Sequence, residues 1–289
     1  MKLIQFFLLV TVIAVGIFFR VTHITSAPPG MLVDETSIGY NAYSILKTGR
    51  DEFGVKHPLS FKAYGEYKMP AYIYASVIPV KVFGLNSFAV RFVSILSGIS
   101  LIVVVFLLVK QLGFGYSSSL IGALITAVST WTIILSRYAW ESNLGLVIFT
   151  SGLLAFFVGI NKHKVQYFIT AGILFGLTWY CYLPYRVVST LFILAVTVYI
   201  IFKHKSILKQ GILLGAIFVI TISPLVPTIF SKEGTTRFKQ TSIFSDPRIV
   251  SRINENRSFC TDHNPKILCY LTSNKVVEYS HNILDRYSD

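Results

Sequence analysis

The sequence predicts an all-α, polytopic membrane protein with about seven spans and a large first extracytoplasmic loop that carries juxtamembrane helices. Of its 289 residues, 53% are hydrophobic and only 13% are charged, and the mean hydropathy is +0.63. The apolar residues also gather in uncharged runs of about 18 or more residues, the length that a helix needs to cross a hydrocarbon core about 30 Å thick. Because a helix satisfies its own backbone hydrogen bonds in lipid, each run is predicted to be helical.

The uncharged runs give the predicted spans in chain order. They are residues 3–19, 92–109, 111–136, 142–161, 165–185, 187–202 and 210–231. The first run is longer than the apolar region of about 7–15 residues in a cleaved signal peptide, and this favours an uncleaved signal anchor. A cleaved signal peptide is the alternative.

The basic residues indicate the topology. The chain has 26 Lys and Arg against 13 Asp and Glu, for a net charge of +13. Many of them lie in short loops between spans, such as "NKHK" at 161–164 and "KHKSILK" at 203–209. Loops of this kind are typically cytoplasmic. Because the basic residues form no single patch, the charge does not indicate a nucleic-acid-binding protein.

Counting spans from these two loops places residues 21–87 and 231–289 on the extracytoplasmic side. Segment 70–84 is too short to cross the membrane, because 15 helical residues rise only about 22 Å. It is predicted to be a juxtamembrane helix on the outer interface, with Pro70 in its first turn. The predicted domains are therefore a transmembrane module, 1–230, and an extracytoplasmic loop, 231–289.

Nearly all of the acidic residues fall in the predicted outer loops, and Asp34 and Glu35 stand side by side in the first one. The apolar spacing over residues 35–48 predicts a helix on the membrane surface, with Gly49 as its stop. Asp34 is then either the N-cap of this helix or a catalytic carboxylate, and the residues alone leave both open. Neighbouring residues on a helix point in different directions, so Asp34 and Glu35 are predicted to have different roles.

Five basic residues lie at the predicted outer membrane edges, although topology favours Lys and Arg inside. They are Arg20, Lys68, Arg91, Arg137 and Arg186. Contact with headgroup phosphates explains such residues, and Arg20 above all. The alternative is a site for a lipid phosphate, which Arg can hold with two hydrogen bonds. The aromatic residues near Arg137 and Arg186 belong either to an interfacial belt or to a platform for a sugar or polyprenyl chain.

The three cysteines divide into one apolar and two polar positions. Cys181 lies in an apolar span and is predicted to serve packing. Cys260 and Cys269 lie in "FCTDHNPKILCY" and are predicted to form a disulfide if that segment faces an oxidising compartment, with two free thiols as the alternative. No zinc-binding pattern occurs and no cofactor is predicted, while dependence on a divalent metal stays open.

Several motifs occur together in a known order. After the first span come "DE" and "YNAYSILKTGRDEFG", then "YKMPAYIYASVIPVKVFGLNSFAVRF", "SRYAWESN" and "GLTWYCYLPYR". Over residues 1 to 230 this order resembles the bacterial and archaeal members of glycosyltransferase family 39. These include dolichyl-phosphate-mannose protein mannosyltransferases and lipid A aminoarabinose transferases, all of them C-type (GT-C) membrane glycosyltransferases.

The resemblance implies transfer of a sugar from a polyprenyl-phosphate carrier, on the outer face of the membrane, to a protein, lipid or glycan acceptor with inversion. It implies that Asp34 is the general base or acceptor-orienting carboxylate, with Glu35 supporting the loop as the second residue of the catalytic pair. It places Lys68 at the donor phosphate. It implies less specifically that Arg91, Arg137 and Arg186 contact the donor phosphate. Further candidates for substrate contacts are Asp51, Tyr64 and Glu141.

The sequence departs from the family in one respect. Members normally continue with several more spans after the large outer loop, whereas this sequence stops inside it, at "DRYSD". We therefore expect a truncated product or an N-terminal module, and a non-catalytic membrane partner of another glycosyltransferase is an alternative. A lipid-carrier transporter is a further alternative, which predicts acids or arginines deep inside the spans.

Overall fold

The computed structural model of the chain describes residues 2–203, 207–229, 247–261, 265–278 and 280. It divides into two compact units, Met1–Pro227 and Thr228–Asp289. The predicted basic loop 203–209 and the predicted outer loop 231–289 lie partly outside the described residues, and their assignment to opposite sides of the membrane stays a prediction.

The first unit is built almost entirely of helices. The helices are α1 (Lys2–Val21), α2 (Val33–Thr48), α3 (Pro70–Phe83), α4 (Ser87–Gln111), α5 (Tyr116–Val128), α6 (Thr130–Arg137), α7 (Glu141–Lys162), α8 (Val165–Leu177), α9 (Pro184–Lys203) and α10 (Leu208–Ile222). A short helix, α11 (Val226–Ile229), lies at the boundary with the second unit. Two short strands, β1 (Phe61–Ala63) and β2 (Glu66–Lys68), pair antiparallel between α2 and α3. Short 3₁₀ turns follow α8 and α10.

Among the described helices, α1, α4, α7 and α9 are each long and apolar enough to cross a membrane, and so is the helical segment Leu208–Thr228, which begins with α10. Helices α5 and α6 meet at a bend of 53° and would together make a sixth span. This confirms the predicted class, a polytopic α-helical membrane protein. The described helices thus provide five or six candidate spans instead of the predicted seven. The predicted span 165–185 is not among them, because it divides between the 13 residues of α8 and a 3₁₀ turn, Thr178–Tyr180.

Helix α2 begins earlier than the acidic residues suggest. Its N-cap is Leu32, which has extended backbone angles and a side chain that cannot accept a hydrogen bond. The Glu35 carboxylate takes over this task, because its Oε2 accepts the Leu32 N–H at 3.0 Å. Asp34 is therefore not the N-cap. The predicted stop is confirmed, since Gly49 follows the helix with a left-handed φ of 68°.

A β-hairpin in the first loop was not predicted from the sequence. Its strands are joined by Tyr64 and Gly65, whose φ angles of 48° and 86° suit the two-residue turns that match the twist of a hairpin. Strand β2 ends at Lys68, and α3 starts two residues later with Pro70 in its first position. Helix α3 has the 14 residues and the apolar composition expected of the predicted juxtamembrane helix.

The core of the first unit consists of closely packed helices. Small residues allow the approach of α8 to its neighbours, as they do in many membrane bundles. A Cβ at Gly159 would lie 2.9 Å from the ring of Phe168, and one at Gly172 would lie 2.7 Å from the Leu214 carbonyl. Phe168 is itself fully buried. Helix α8 is thus held tightly between α7 and α10 despite its short length.

The described part of the second unit contains α12 (Pro247–Thr261) and α13 (Lys266–Thr272). A disulfide joins Cys260 to Cys269. The Nε of Arg257 donates to the Ser273 carbonyl at 2.7 Å, and its guanidinium lies over the ring of Tyr270. The disulfide and these contacts of Arg257 link the two helices.

Candidate active site

Two of the predicted site residues, Asp34 and Lys68, are in direct contact. The Lys68 ammonium donates to Oδ1 of Asp34 at 2.6 Å. Lys68 is 6% exposed, whereas the Asp34 side chain is 52% exposed. A buried cation therefore holds a carboxylate whose other side faces the surface of the first loop, where it can accept a proton from an incoming hydroxyl.

Local structure brings these two residues together from different elements. Asp34 occupies the second position of α2, so its carboxylate lies at the positive end of the helix dipole. Lys68 is the last residue of β2 and pairs with Phe61 of β1, which is fully buried. The hairpin thus fixes the lysine against the core and directs its ammonium towards the start of α2.

Arg186 joins this neighbourhood through Met69, the residue after Lys68. Its Nη2 donates to the sulfur of Met69 at 3.1 Å, and its guanidinium carbon lies 5.8 Å from the ring centre of Trp179. Among the described residues, the buried Nε of Arg186 has no hydrogen-bond partner. We call Asp34, Lys68, Arg186 and Trp179 the open site.

Glu35 has quite different surroundings from its neighbour Asp34. It is fully buried, and its two oxygens accept four hydrogen bonds. Two come from Nε and Nη2 of Arg91, both at 2.9 Å, and the others come from the backbone N–H groups of Leu32 and Ala139. Burial alone would raise the pKa of the Glu35 carboxyl, but these hydrogen bonds outweigh burial and hold the pKa below its ordinary value.

Arg91 uses all of its hydrogen-bonding capacity within the protein. A guanidinium has five N–H groups. Those not bonded to Glu35 donate to the carbonyls of Ile24, Pro28 and Gly30. Arg91 is also fully buried, and therefore the geometry argues against its predicted contact with a donor phosphate. We call this buried arrangement of Glu35 and Arg91 the closed centre.

Arg137 binds the carbonyls left free at the end of α1. Its guanidinium donates to Phe19 at 2.6 Å, to Thr22 at 2.9 Å and to Ala27. Phe19 and Thr22 lie at the end of α1, where carbonyl groups have no partner within the helix, and Ala27 lies in the segment that follows. The geometry therefore favours a role in holding the first loop over the predicted phosphate contact.

Arg20 lies inside the bundle, so its predicted contact with headgroup phosphates is wrong. It is fully buried, and two of its five N–H groups donate to the Thr126 and Ala127 carbonyls at the end of α5. The remaining groups donate to the Gly16 carbonyl and to the hydroxyls of Ser136 and Thr132. Arg20 thus satisfies the backbone where α5 and α6 bend apart.

The structure gives the three remaining candidates different surroundings. Asp51 is buried, and its Oδ1 accepts the N–H groups of Phe53 and Val55, so it fixes a turn. Tyr64 is 71% exposed at the tip of the hairpin. Glu141 is the first residue of α7, where a negative charge is favourable.

Sequence analysis missed Tyr72 as a member of the framework. Its hydroxyl donates to the Val90 carbonyl at 3.0 Å and accepts the Ser94 N–H at 3.1 Å, so it links α3 to the backbone of α4. Burial raises the pKa of Tyr72 well above its ordinary value, and the hydroxyl therefore keeps its proton. The only signal in the sequence was the hydroxyl group of Tyr72 among the apolar residues of α3.

Within the described part of the chain, no cluster of three or more His, Cys, Asp or Glu residues could hold a metal ion.

The comparisons with known proteins gave one match. Residues 67–228, more than half of the chain, match the family model described as dolichyl-phosphate-mannose-protein mannosyltransferase. No curated protein matches the chain. The matched region begins just before Lys68 and includes Arg91, Arg137 and Arg186, whereas Asp34 and Glu35 precede it.

Proposed function

The chain belongs to the dolichyl-phosphate-mannose-protein mannosyltransferase family, and from this premise we propose that it transfers a sugar to an acceptor hydroxyl or phosphate at the outer face of the membrane, with inversion. Members of the family are membrane glycosyltransferases whose donors are sugars linked to polyprenyl phosphate. The observation that carries the proposal is the contact of 2.6 Å between an exposed carboxylate, Asp34, and a buried ammonium, Lys68.

The proposed reaction is a single displacement. Asp34 takes the proton of the acceptor as the acceptor oxygen attacks the anomeric carbon. The bond from that carbon to the phosphate oxygen breaks, and the phosphate leaves with the electron pair. Because attack and departure occur on opposite faces of the carbon, the configuration inverts. Lys68 and Arg186 stabilise the negative charge that develops on the leaving phosphate.

The proposed base and the proposed phosphate contact start as an ion pair. In this arrangement Lys68 keeps the Asp34 carboxylate in place at the loop surface, and the arriving phosphate competes for the same ammonium. Binding of the donor would therefore loosen the hold of Lys68 on Asp34 at the moment when the carboxylate is needed as a base. The role of Asp34 as base would thus depend on Lys68 binding the phosphate of the donor.

In this proposal Glu35 and Arg91 are positioning residues. Their oxygens and N–H groups already have partners within the protein, so they are not available to substrate. They fix the start of α2, and with it the direction of Asp34. The open site lies in the first loop and at the start of α9, both of which the proposed topology places outside the cytoplasm.

The test is transfer of sugar from a polyprenyl-phosphate donor by the full-length protein in proteoliposomes. Asp34→Asn keeps the shape of the side chain and removes the base, so we expect turnover to fall at least about 100-fold, within the range for a positioned acid or base. Asp34 is not a cap, and the amide oxygen of Asn can still accept the hydrogen bond of Lys68, so the variant should insert and fold.

Glu255→Gln is the matched control, because it also neutralises an exposed acid but lies in the second unit. It should turn over at the wild-type rate. If Asp34→Asn transfers sugar nearly as fast as wild type, the assignment of the base is wrong. If the wild-type protein transfers no sugar from any polyprenyl-phosphate donor, the proposed activity itself fails.

A further inference from the structure

Two buried hydrogen-bond donors in the open site have no partner among the described residues. They are the indole Nε1 of Trp179 and the Nε of Arg186. The guanidinium of Arg186 lies over the Trp179 ring, with 5.8 Å between its central carbon and the ring centre. The two donors without partners therefore lie on side chains that contact each other.

Leaving such groups unpaired is costly. A buried donor without a partner costs about 1–3 kcal/mol, and more when it is charged. Most buried polar groups in folded proteins have a partner, so two orphans in contact call for an explanation. Neither an indole nor a guanidinium can accept a hydrogen bond, so the missing partner must offer acceptor atoms to both.

The charge of the surroundings adds that this partner is an anion. Arg186 lies in the first turn of α9, which contains no acidic residue. A cation there faces the positive end of the helix dipole, where an anion is favoured. Among the described residues Arg186 has no ion-pair partner, and its contact with the uncharged sulfur of Met69 does nothing to balance its charge.

Trp179 is held in a fixed position by its neighbours. It lies in the 3₁₀ turn Thr178–Tyr180, where the buried Thr178 hydroxyl donates to the Phe175 carbonyl at 2.6 Å. Its ring meets the ring of Phe218 edge to face, with 6.1 Å between centres. The direction of the indole N–H is thus set before any ligand arrives, which lowers the entropy lost on binding.

We propose that the indole N–H of Trp179 and the Nε–H of Arg186 together bind oxygens of a phosphate ester, and that Trp179 is a substrate-binding residue. This rests on the proposed function, because it takes the phosphate to be that of the polyprenyl-phosphate donor. Met69 links Arg186 to Lys68, so the same phosphate can lie between the two donors and the lysine. The sugar then projects towards Asp34.

The experiment measures binding of polyprenyl monophosphate, without a sugar, to the full-length protein in nanodiscs. Trp179→Phe keeps an aromatic ring and removes only the N–H. We expect its Kd to rise at least about tenfold, the effect of losing one hydrogen bond to a charged group. Trp131→Phe, at a residue that is 71% exposed on α6, is the matched control and should leave the Kd unchanged.

A second variant covers the case in which Trp179→Phe does not fold. Arg186→Lys keeps the charge but lacks the planar set of donors, and its Kd should rise by a similar factor. Competition with inorganic phosphate and with phosphatidylglycerol identifies the source of the phosphate. Displacement of the probe by either at comparable concentration would show a general anion site and refute the assignment to the donor.

The results separate the two proposals. If the wild-type protein binds polyprenyl monophosphate and both variants bind it equally well, Trp179 and Arg186 do not form this site while the proposed activity stands. If the wild-type protein does not bind the probe at all, the proposed function fails, and the inference fails with it.

Discussion

Asp34 and Glu35 are neighbours in the chain, yet they belong to regions with opposite properties. In the closed centre, Glu35 and Arg91 are fully buried, and each of their hydrogen-bonding groups meets a protein partner. In the open site, Asp34 is half exposed, and donors of Arg186 and Trp179 have no partner in the described part of the chain. The difference suggests that the closed centre holds the fold, whereas the open site is available to a ligand.

Helix geometry explains how adjacent acids reach such different surroundings. Consecutive residues on a helix point about 100° apart, so one can face the bundle while the next faces the loop surface. The closed centre ties the start of α2 to α4 through Arg91 and to the segment before α7 through Ala139. The direction of Asp34 follows from this attachment of its neighbour.

The largest difference between the two regions is expected when the arginine of each is replaced by alanine, one at a time. Arg91→Ala leaves the Glu35 carboxylate buried without its ion-pair partner, and breaking a buried pair in this way costs about 3–5 kcal/mol. Arg186→Ala removes a side chain whose Nε has no partner among the described residues, so it should leave stability nearly unchanged and weaken donor binding instead. Thermal unfolding in detergent micelles and binding of polyprenyl monophosphate measure the two effects.

Equal loss of stability in both arginine variants would contradict the comparison, because it would mean that Arg186 is as much a part of the fold as Arg91. Loss of donor binding by Arg91→Ala under conditions where it remains folded would be a further contradiction. That result would place Arg91 at the substrate despite its full set of protein partners.

The sequence was informative about elements whose signal is local. The apolar runs located the membrane helices, the sequence after Met69 predicted a short helix beginning at Pro70, and the left-handed residue Gly49 marked the end of α2. The hairpin was missed because each strand has only three residues, too few to show an alternating pattern. The break at Ser129 was missed because neither Pro nor Gly marks it.

The roles of the arginines depend on distant partners and could not be predicted. An arginine near the end of a span can face headgroups or the carbonyls of another helix, and the sequence around it looks the same in both cases. Arg20 bonds carbonyls more than 100 residues away in the chain. The separate roles of Asp34 as base and of Lys68 at the donor phosphate came from the family resemblance, and only the structure showed that the two side chains are in contact.

An effect of intermediate size is expected on the stability of the protein when Glu35, in the closed centre, takes up a proton. The pKa of Glu35 is lower in the folded protein than its ordinary value of about 4.3, so the unfolded chain takes up the proton first. The stability that this carboxylate contributes is fully present above that ordinary value and is lost as the pH falls through the lowered pKa. Unfolding measured between about pH 5 and pH 3 should therefore become easier as acid is added.

Glu35→Gln cannot titrate at this position, and its stability should fall less steeply over the same pH range, from a lower starting value. Asp34→Asn should keep the steep dependence of the wild-type protein, because it leaves the closed centre intact. If Asp34→Asn flattens the profile and Glu35→Gln does not, the acid-sensitive group lies in the open site and the assignment is reversed.

The smallest effect is expected for Tyr72→Phe, which removes the hydroxyl between α3 and α4 and keeps the ring. The hydroxyl makes two hydrogen bonds to the backbone of α4, but in its absence the Val90 carbonyl and the Ser94 N–H can bond each other as in a regular helix. We therefore expect a loss of only about 1 kcal/mol, the typical net contribution of one hydrogen bond. Sugar transfer should stay close to the wild-type rate, because Tyr72 belongs to neither the open site nor the closed centre. A fall in turnover like that of Asp34→Asn, with stability unchanged, would show that the link between α3 and α4 acts on the reacting groups and that the open site extends to this hydroxyl.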